Sequence, residues 1–220
     1  MLGHRDRVPG LGCVIETPIR RSPDLRATVA ERQPAVEITS LDPADEAAIA
    51  QVARIVFDAF RGHTPAWPDL ASAEAEVRES FAEGRLSRVA RENGAVLGWI
   101  GGIRAYGGHA WELHPLAVDP ARHREGIGRA LVGDLERLVA ERGATTLYLG
   151  TDDEDERTSL GGVDLYPDPL AHLANITSPG YHPYRFYLAC GFSLVGVIPD
   201  ANGPGRPDIL MAKRVGTAGR

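Results

Sequence analysis

WELHPLAVDPARHREGIGRAL, residues 111–131, decides the fold. Its first part is apolar enough for a buried strand, yet it carries Glu112, His114 and Pro115. Side chains alternate across a strand, so Glu112, His114, Leu116 and Val118 are expected on one face and Trp111, Leu113 and Ala117 on the other. Proline cannot donate to a sheet ladder, so Pro115 belongs at an edge or a bulge, where side chains are re-aimed and backbone groups go unpaired. The strand is expected to splay from a neighbour and turn N–H groups toward a ligand. The alternative is a solvated face with Pro115 marking an edge.

The second part runs from a strand end into a helix start. Gly126 and Gly128 have no Cβ, so main chain can approach a ligand closely. The first amides of a helix are unpaired and lie at the positive end of its dipole. That makes an anion site, to which Arg122, Arg124 and Arg129 add charge. The stretch lacks the Gly-Lys-Ser/Thr of a P-loop, and Leu131 stands at the third glycine of a dinucleotide fingerprint. The pyrophosphate of another cofactor fits better.

Working outward, Pro43 to Phe60 reads as a helix capped by Asp42, with Ile49, Val52, Val56 and Phe60 on one stripe. A second helix is expected from about Ser72 to Glu83, ended by Gly84. LSRVAR and AVLGWIGGIR flank Glu92-Asn93-Gly94, a hairpin signal. Residues 127–142 are amphipathic and stop at Gly143. TTLYLG, 145–150, reads as a buried strand. Residues 151–180 form an acidic, Pro-rich excursion, and loops of that length are functional or disordered. A helix around Tyr184 to Ala189 and two strands, FSLVGVIPD and DILMAKRV, close the chain. WELHPLAV and TTLYLG enclose a helix, which makes them parallel. The expected fold is α/β (α+β): a mixed, mostly antiparallel sheet with helices on both faces. Residues 1–35 are expected to be a mobile arm, 36–215 the domain and 216–220 a tail.

The chain has 220 residues, 43% hydrophobic and 25% charged, which permits one packed core. A net charge of −6 speaks against nucleic acid and suits a cationic small molecule. No apolar run is long enough for a membrane span, and Arg5, Arg7, Arg20 and Arg21 interrupt any leader-like start. Two distant cysteines, Cys13 and Cys190, point to a reduced, cytoplasmic protein.

His123-Arg124-Glu125-Gly126-Ile127-Gly128 resembles the acetyl-CoA pyrophosphate loop of the GCN5-related N-acetyltransferases, with His123 where Gln or Arg is usual. WELHPLAV, TLYLGTDDED, the DLY at 164–166, HPYRFY and GVIPDANGPGRPDILMAK further resemble the small chromosomal type of aminoglycoside 6'-N-acetyltransferase, over roughly residues 85–213. The resemblance implies the GCN5-related fold with splayed central strands, acetyl-CoA as co-substrate and a homodimer. It implies that His123 to Arg129 hold the cofactor, with Val118 at the strand end.

The resemblance also assigns roles. Glu112 would take the amine's proton, directly or through water; a purely electrostatic part in binding is the alternative. Such an amine arrives protonated, and a carboxylate both attracts it and accepts the proton. His114, the second polar group on the face expected for Glu112, would orient substrate or hydrogen-bond the acetyl-CoA region, or be a structural histidine. Leu116 would act through its amide, on the thioester carbonyl and then the oxyanion. Tyr187 would face the sulfur and protonate the departing thiolate, with Tyr184 packed on CoA; both could instead be core aromatics. Asp152 and Asp153 are favoured as acceptor contacts in a run whose usual meaning is a solvated loop. Trp67 and Trp111 could stack on sugar rings or fill the core. His109, Glu112 and His114 look like a metal set, but they lie on a Pro-containing strand rather than at helical spacing, so no metal is expected.

The expected reaction is acetyl transfer from acetyl-CoA to the 6'-amine of an aminoglycoside, by direct attack in a ternary complex. The alternatives are another acceptor (a polyamine, an amino sugar or a protein amine) and a non-enzymatic acetyl-CoA- or drug-binding module.

Overall fold

The protein's structure, a computed structural model, describes residues 36–216. The expected arm and residues 217–220 lie outside the described residues. Strands β1 (Glu37–Ser40), β2 (Arg85–Glu92), β3 (Ala95–Ala105), β4 (Ala110–Val118), β5 (Thr146–Asp152), β6 (Ser193–Ile198) and β7 (Asp208–Arg214) form one sheet in the order β1-β2-β3-β4-β5-β7-β6. Only β4 and β5 are parallel. The mixed, mostly antiparallel sheet is as expected.

Helix α1 (Glu46–Phe60) starts later than expected. Asp42 instead makes a local turn, accepting from Ala44 N, and Asp45 is the cap, accepting from Ala48 N. Helix α2 (Leu70–Glu79) opens on a reciprocal cap between Asp69 and Ser72 and ends early. Helix α3 (Ile127–Glu141) and α5 (Pro183–Ala189) match their expectations. The Asn93-Gly94 turn joins β2 to β3 with both residues at positive φ. β1, a short edge strand on β2, was not expected.

The 151–180 excursion is knit together. Buried Asp153 accepts from Arg157 N (2.7 Å), Thr158 N (2.9 Å) and Thr158 Oγ1 (2.6 Å), and α4 (Pro169–Ala174) follows.

Helices α3 and α5 bury one face of the sheet with Leu147, Leu149, Ile209 and Met211. Helices α1 and α2 bury the other over Val89, Val96, Trp99 and Ala117, all from β2, β3 and β4. Among the described residues, that second core includes no residue of β5 or β7.

Pro115 sits at a bulge. Gly102 pairs with Leu113, but Ile100 pairs with Leu116, so β4 carries one more residue than β3 there. The extra residue reverses the alternation. Trp111 and Leu113 pack on the α3 side, and so do Leu116 and Val118 beyond the bulge, while Ala117 joins the α1 side. The single face expected for Glu112, His114, Leu116 and Val118 is therefore corrected. Glu112 and His114 face the α1–α2 side, and Leu116 and Val118 face the α3 side.

Candidate active site

Strands β4 and β5 pair only at Ala110↔Thr146, Trp111↔Leu147 and Glu112↔Tyr148. Past Glu112 the β5 side of β4 has no strand partner among the described residues, while β5 runs on to Asp152 along β7. The two strands thus open like a V with Glu112 and Tyr148 at its vertex. Backbone groups of Leu113 to Val118 directed into the gap lack ladder partners, which is what a linear ligand with amide groups of its own can use.

One arm of the V leads to the start of α3. Gly126 caps it in the left-handed region (φ 86°) with no side-chain cap. Among the described residues the only backbone bond drawn back to the cap is Ala130 N to Gly126 O, which leaves the amides of the first turn uncapped there. Arg124 is also left-handed (φ 68°). His123 donates from Nε2 to Val118 O (3.1 Å) and so closes the loop onto the strand end. A Cβ on Gly128 would stand 3.3 Å from the Phe186 ring, so glycine keeps α3 close to α5.

The model of the Acetyltransferase (GNAT) family matches residues 49–161. The chain belongs to the GNAT acetyltransferase family.

Solved relatives agree with that membership. An aminoglycoside 6'-N-acetyltransferase complexed with coenzyme A is 37% identical with a TM-score of 0.76, over 84% of this chain and 99% of that one. The aminoglycoside 6'-N-acetyltransferase from Enterococcus faecium gives 37% and 0.75 over the same shares. An uncharacterized protein of Mycobacterium leprae is 36% identical over 138 residues, 61% of this chain. The chain spans about 35% of the length of that curated relative.

In this GNAT domain the vertex carries an acidic wall. Tyr148 donates to Glu112 Oε2 at 3.2 Å. Asp152 on β5 is exposed, accepts from Asn202 Nδ2, and faces Asp208 across the β5–β7 ladder. Asp208 Oδ1 is buried without a hydrogen-bond partner among the described residues. Its carboxylate lies against Gly150, where a Cβ would stand 2.6 Å from Oδ1. Desolvation, then the charge of Asp152 and to a lesser degree that of Glu112, pushes the Asp208 carboxyl up to about 6.

A carboxyl raised in the folded state binds its proton more tightly there than in the unfolded chain. Stability from Asp208 is therefore present in acid and lost as pH rises from about 4 to about 6. Asp208→Asn should raise Tm at about pH 8 by roughly 3 °C, and by less at about pH 4. Calorimetry at both pH values checks this; equal shifts would contradict it.

Several expected contacts are corrected. Trp111 is 4% exposed in the α3-side core, since odd positions before the bulge face inward. Asp153 is fully buried and spends both oxygens on its own loop. Trp67 is buried with Phe60, ring centroids 4.7 Å apart, and backs His114 at 6.2 Å rather than offering an open platform. Tyr184 is buried beside His182. Arg122 adds no free charge, because it pairs with Glu92 (3.1 Å) and Glu125 (2.8 Å); Arg124 and Arg129 are exposed. The Ile127 side chain is core, so only its amide can serve a ligand.

His114 is exposed, with Glu76 of α2 at 3.9 Å. Tyr187 lies edge-on to Phe186 and Phe192, and burial pushes its phenol well up, so it keeps its proton. His182 was not singled out from the sequence. Its Nδ1 accepts from Tyr184 N, so Nε2 carries the proton and donates to Asp152 O (3.0 Å), tying α5 to the end of β5. Burial lowers its pKa. Tyr148 and Asp208 were also missed, because their partners lie on other strands. Among the described residues no His, Cys, Asp and Glu side chains cluster to hold a metal.

Proposed function

We propose that the protein transfers the acetyl group of acetyl-CoA to the 6'-amine of aminoglycosides, by direct attack in a ternary complex. The observation that carries this reading is the V between β4 and β5, with a carboxylate at its vertex and uncapped helix amides at its mouth. The likeness to two aminoglycoside 6'-N-acetyltransferases, one complexed with coenzyme A, supports it.

The chain's own groups fit that cofactor. The amides of Gly126 to Arg129 and the positive end of α3 would take a diphosphate, with exposed Arg124 and Arg129 beside it. Main chain from Leu116 to Val118 would hold the pantetheine arm and orient the thioester carbonyl. Acetyl-CoA supplies an activated acetyl thioester. On the α1–α2 side of the sheet, Glu112 accepts the proton of the acceptor ammonium, and Asp152 and Asp208 draw in a polycation. His114 borders the acceptor. Tyr187 holds a phenol proton for the leaving sulfur.

Cys190 is half-buried, its thiol pushed up by burial, which suits direct attack rather than an acyl-enzyme. No helix of the described residues is long and apolar enough to cross a membrane. The reading carries with it a cytoplasmic homodimer.

Kanamycin incubated with protein and acetyl-CoA, then analysed by mass spectrometry and NMR, tests the proposal. A single acetyl group on the 6'-nitrogen is the expected result. Acetylation of polyamines or peptide amines instead would change the substrate class. Binding without CoA release would make the protein a binding module.

A further inference from the structure

We infer that Tyr148 is a positioning residue for Glu112: its hydroxyl ties down one carboxylate oxygen at the vertex of the V and presents the other to the acceptor amine. This rests on the proposed role of Glu112 as proton acceptor.

Glu112 and Tyr148 are the last register partners before β4 and β5 part. They project from the same face, opposite the α3 side where Trp111, Leu147 and Leu149 are buried. A glutamate side chain is rotamer-rich, and one at the edge of a gap is free to swing. Among the described residues the Tyr148 hydroxyl is its one hydrogen-bond partner, at Oε2. The tyrosine is half-buried, and the exposed Tyr106 ring stands edge-on to it at 6.2 Å. Burial, then the charge and hydrogen bond of Glu112, pushes its phenol up to about 12. It therefore remains a donor wherever the carboxylate is charged.

The other groups on this side are Asp152 on β5, Asp208 on β7, His114 on β4, Glu76 on α2 and Tyr106 in the β3–β4 turn. Tyr148 is a neutral donor in that set, and its hydrogen bond to Oε2 sets the direction of the carboxylate.

Tyr148→Phe keeps the ring and removes the donor. kcat should fall about tenfold near neutral pH while KM for kanamycin holds, because the carboxylate keeps its charge and loses its aim. Affinity for acetyl-CoA should not change. In a Glu112→Gln background Tyr148→Phe should have no further effect, because the residue acts through the carboxylate.

An unchanged kcat overturns the inference, as does the same fold loss in the Glu112→Gln background. If Tyr148→Phe does not fold, a fluorotyrosine at 148, a stronger donor, must change kcat with KM for kanamycin held; an unchanged kcat overturns the inference. Full activity of Glu112→Gln would instead remove the proton-acceptor reading on which the inference rests, an outcome distinct from an unchanged kcat in Tyr148→Phe.

Discussion

Glu112→Gln is expected to lower kcat/KM for kanamycin by about 100- to 10,000-fold near neutral pH, the range spanned by a positioned general base. The amide keeps the size of the side chain at the vertex of the V but cannot accept a proton. The acceptor reaches the site largely as an ammonium, whose nitrogen has no lone pair to offer. Proton removal at the site therefore sets the rate at which the nucleophile becomes available. As pH rises and free amine accumulates in solution, the deficit should narrow. Acetyl-CoA affinity by calorimetry should stay at the wild-type value, since the amides at the start of α3 lie at the other end of the gap. Steady-state kinetics across about pH 6 to 9 check both statements. Unchanged kcat/KM over that range would mean that Glu112 is not the base.

Gly101→Ala should be the most damaging single methyl group in the sheet. Gly101 lies in β3 opposite the bulge at His114 and Pro115. A Cβ there would collide with the carbonyl oxygen of His114 and stand 3.0 Å from its carbon. Both atoms are main chain, so no rotamer change relieves the clash. The bulge must shift or the β3–β4 ladder must open. A loss of about 3 kcal/mol or more in unfolding free energy is expected from such backbone displacement. The folded fraction should also lose activity, because the bulge puts Glu112 on one face and Leu116 on the other. Gly133→Ala is the control. Gly133 lies inside α3 with nothing within 4 Å of a Cβ, and the same change there should stabilise by about 0.5 to 1 kcal/mol. Urea denaturation of the two variants side by side gives the comparison. Equal stabilities would show that the bulge yields easily.

Much of the fold was legible because its signals are local. The Asn93-Gly94 turn, the apolar stripe of α3 and its stop at Gly143 each depend on neighbours within one or two turns of chain. The helix between two buried strands determined their parallel pairing. Weak local signals gave misses: β1 is short and at an edge, and α4 hides in a Pro-rich loop. The cap of α1 moved from Asp42 to Asp45 because both can bond forward, and only the built helix chooses between them.

The sequence by itself determined the type of sheet, the helix start that can bind an anion, and Glu112 as a polar group in an apolar strand. Tertiary structure alone decided which face each group uses and which partners it meets. One inserted residue at Pro115 reverses the alternation of β4, and Trp111 goes to the core. Asp153 turns inward to its loop while adjacent Asp152 stays in the open. Tyr148 and Asp208 reach the site through β5 and β7, far from Glu112 along the chain. The physical reason is that helix and turn formation respond to nearby residues, whereas register, parity and burial are fixed by strands that pair only once the chain has closed on itself.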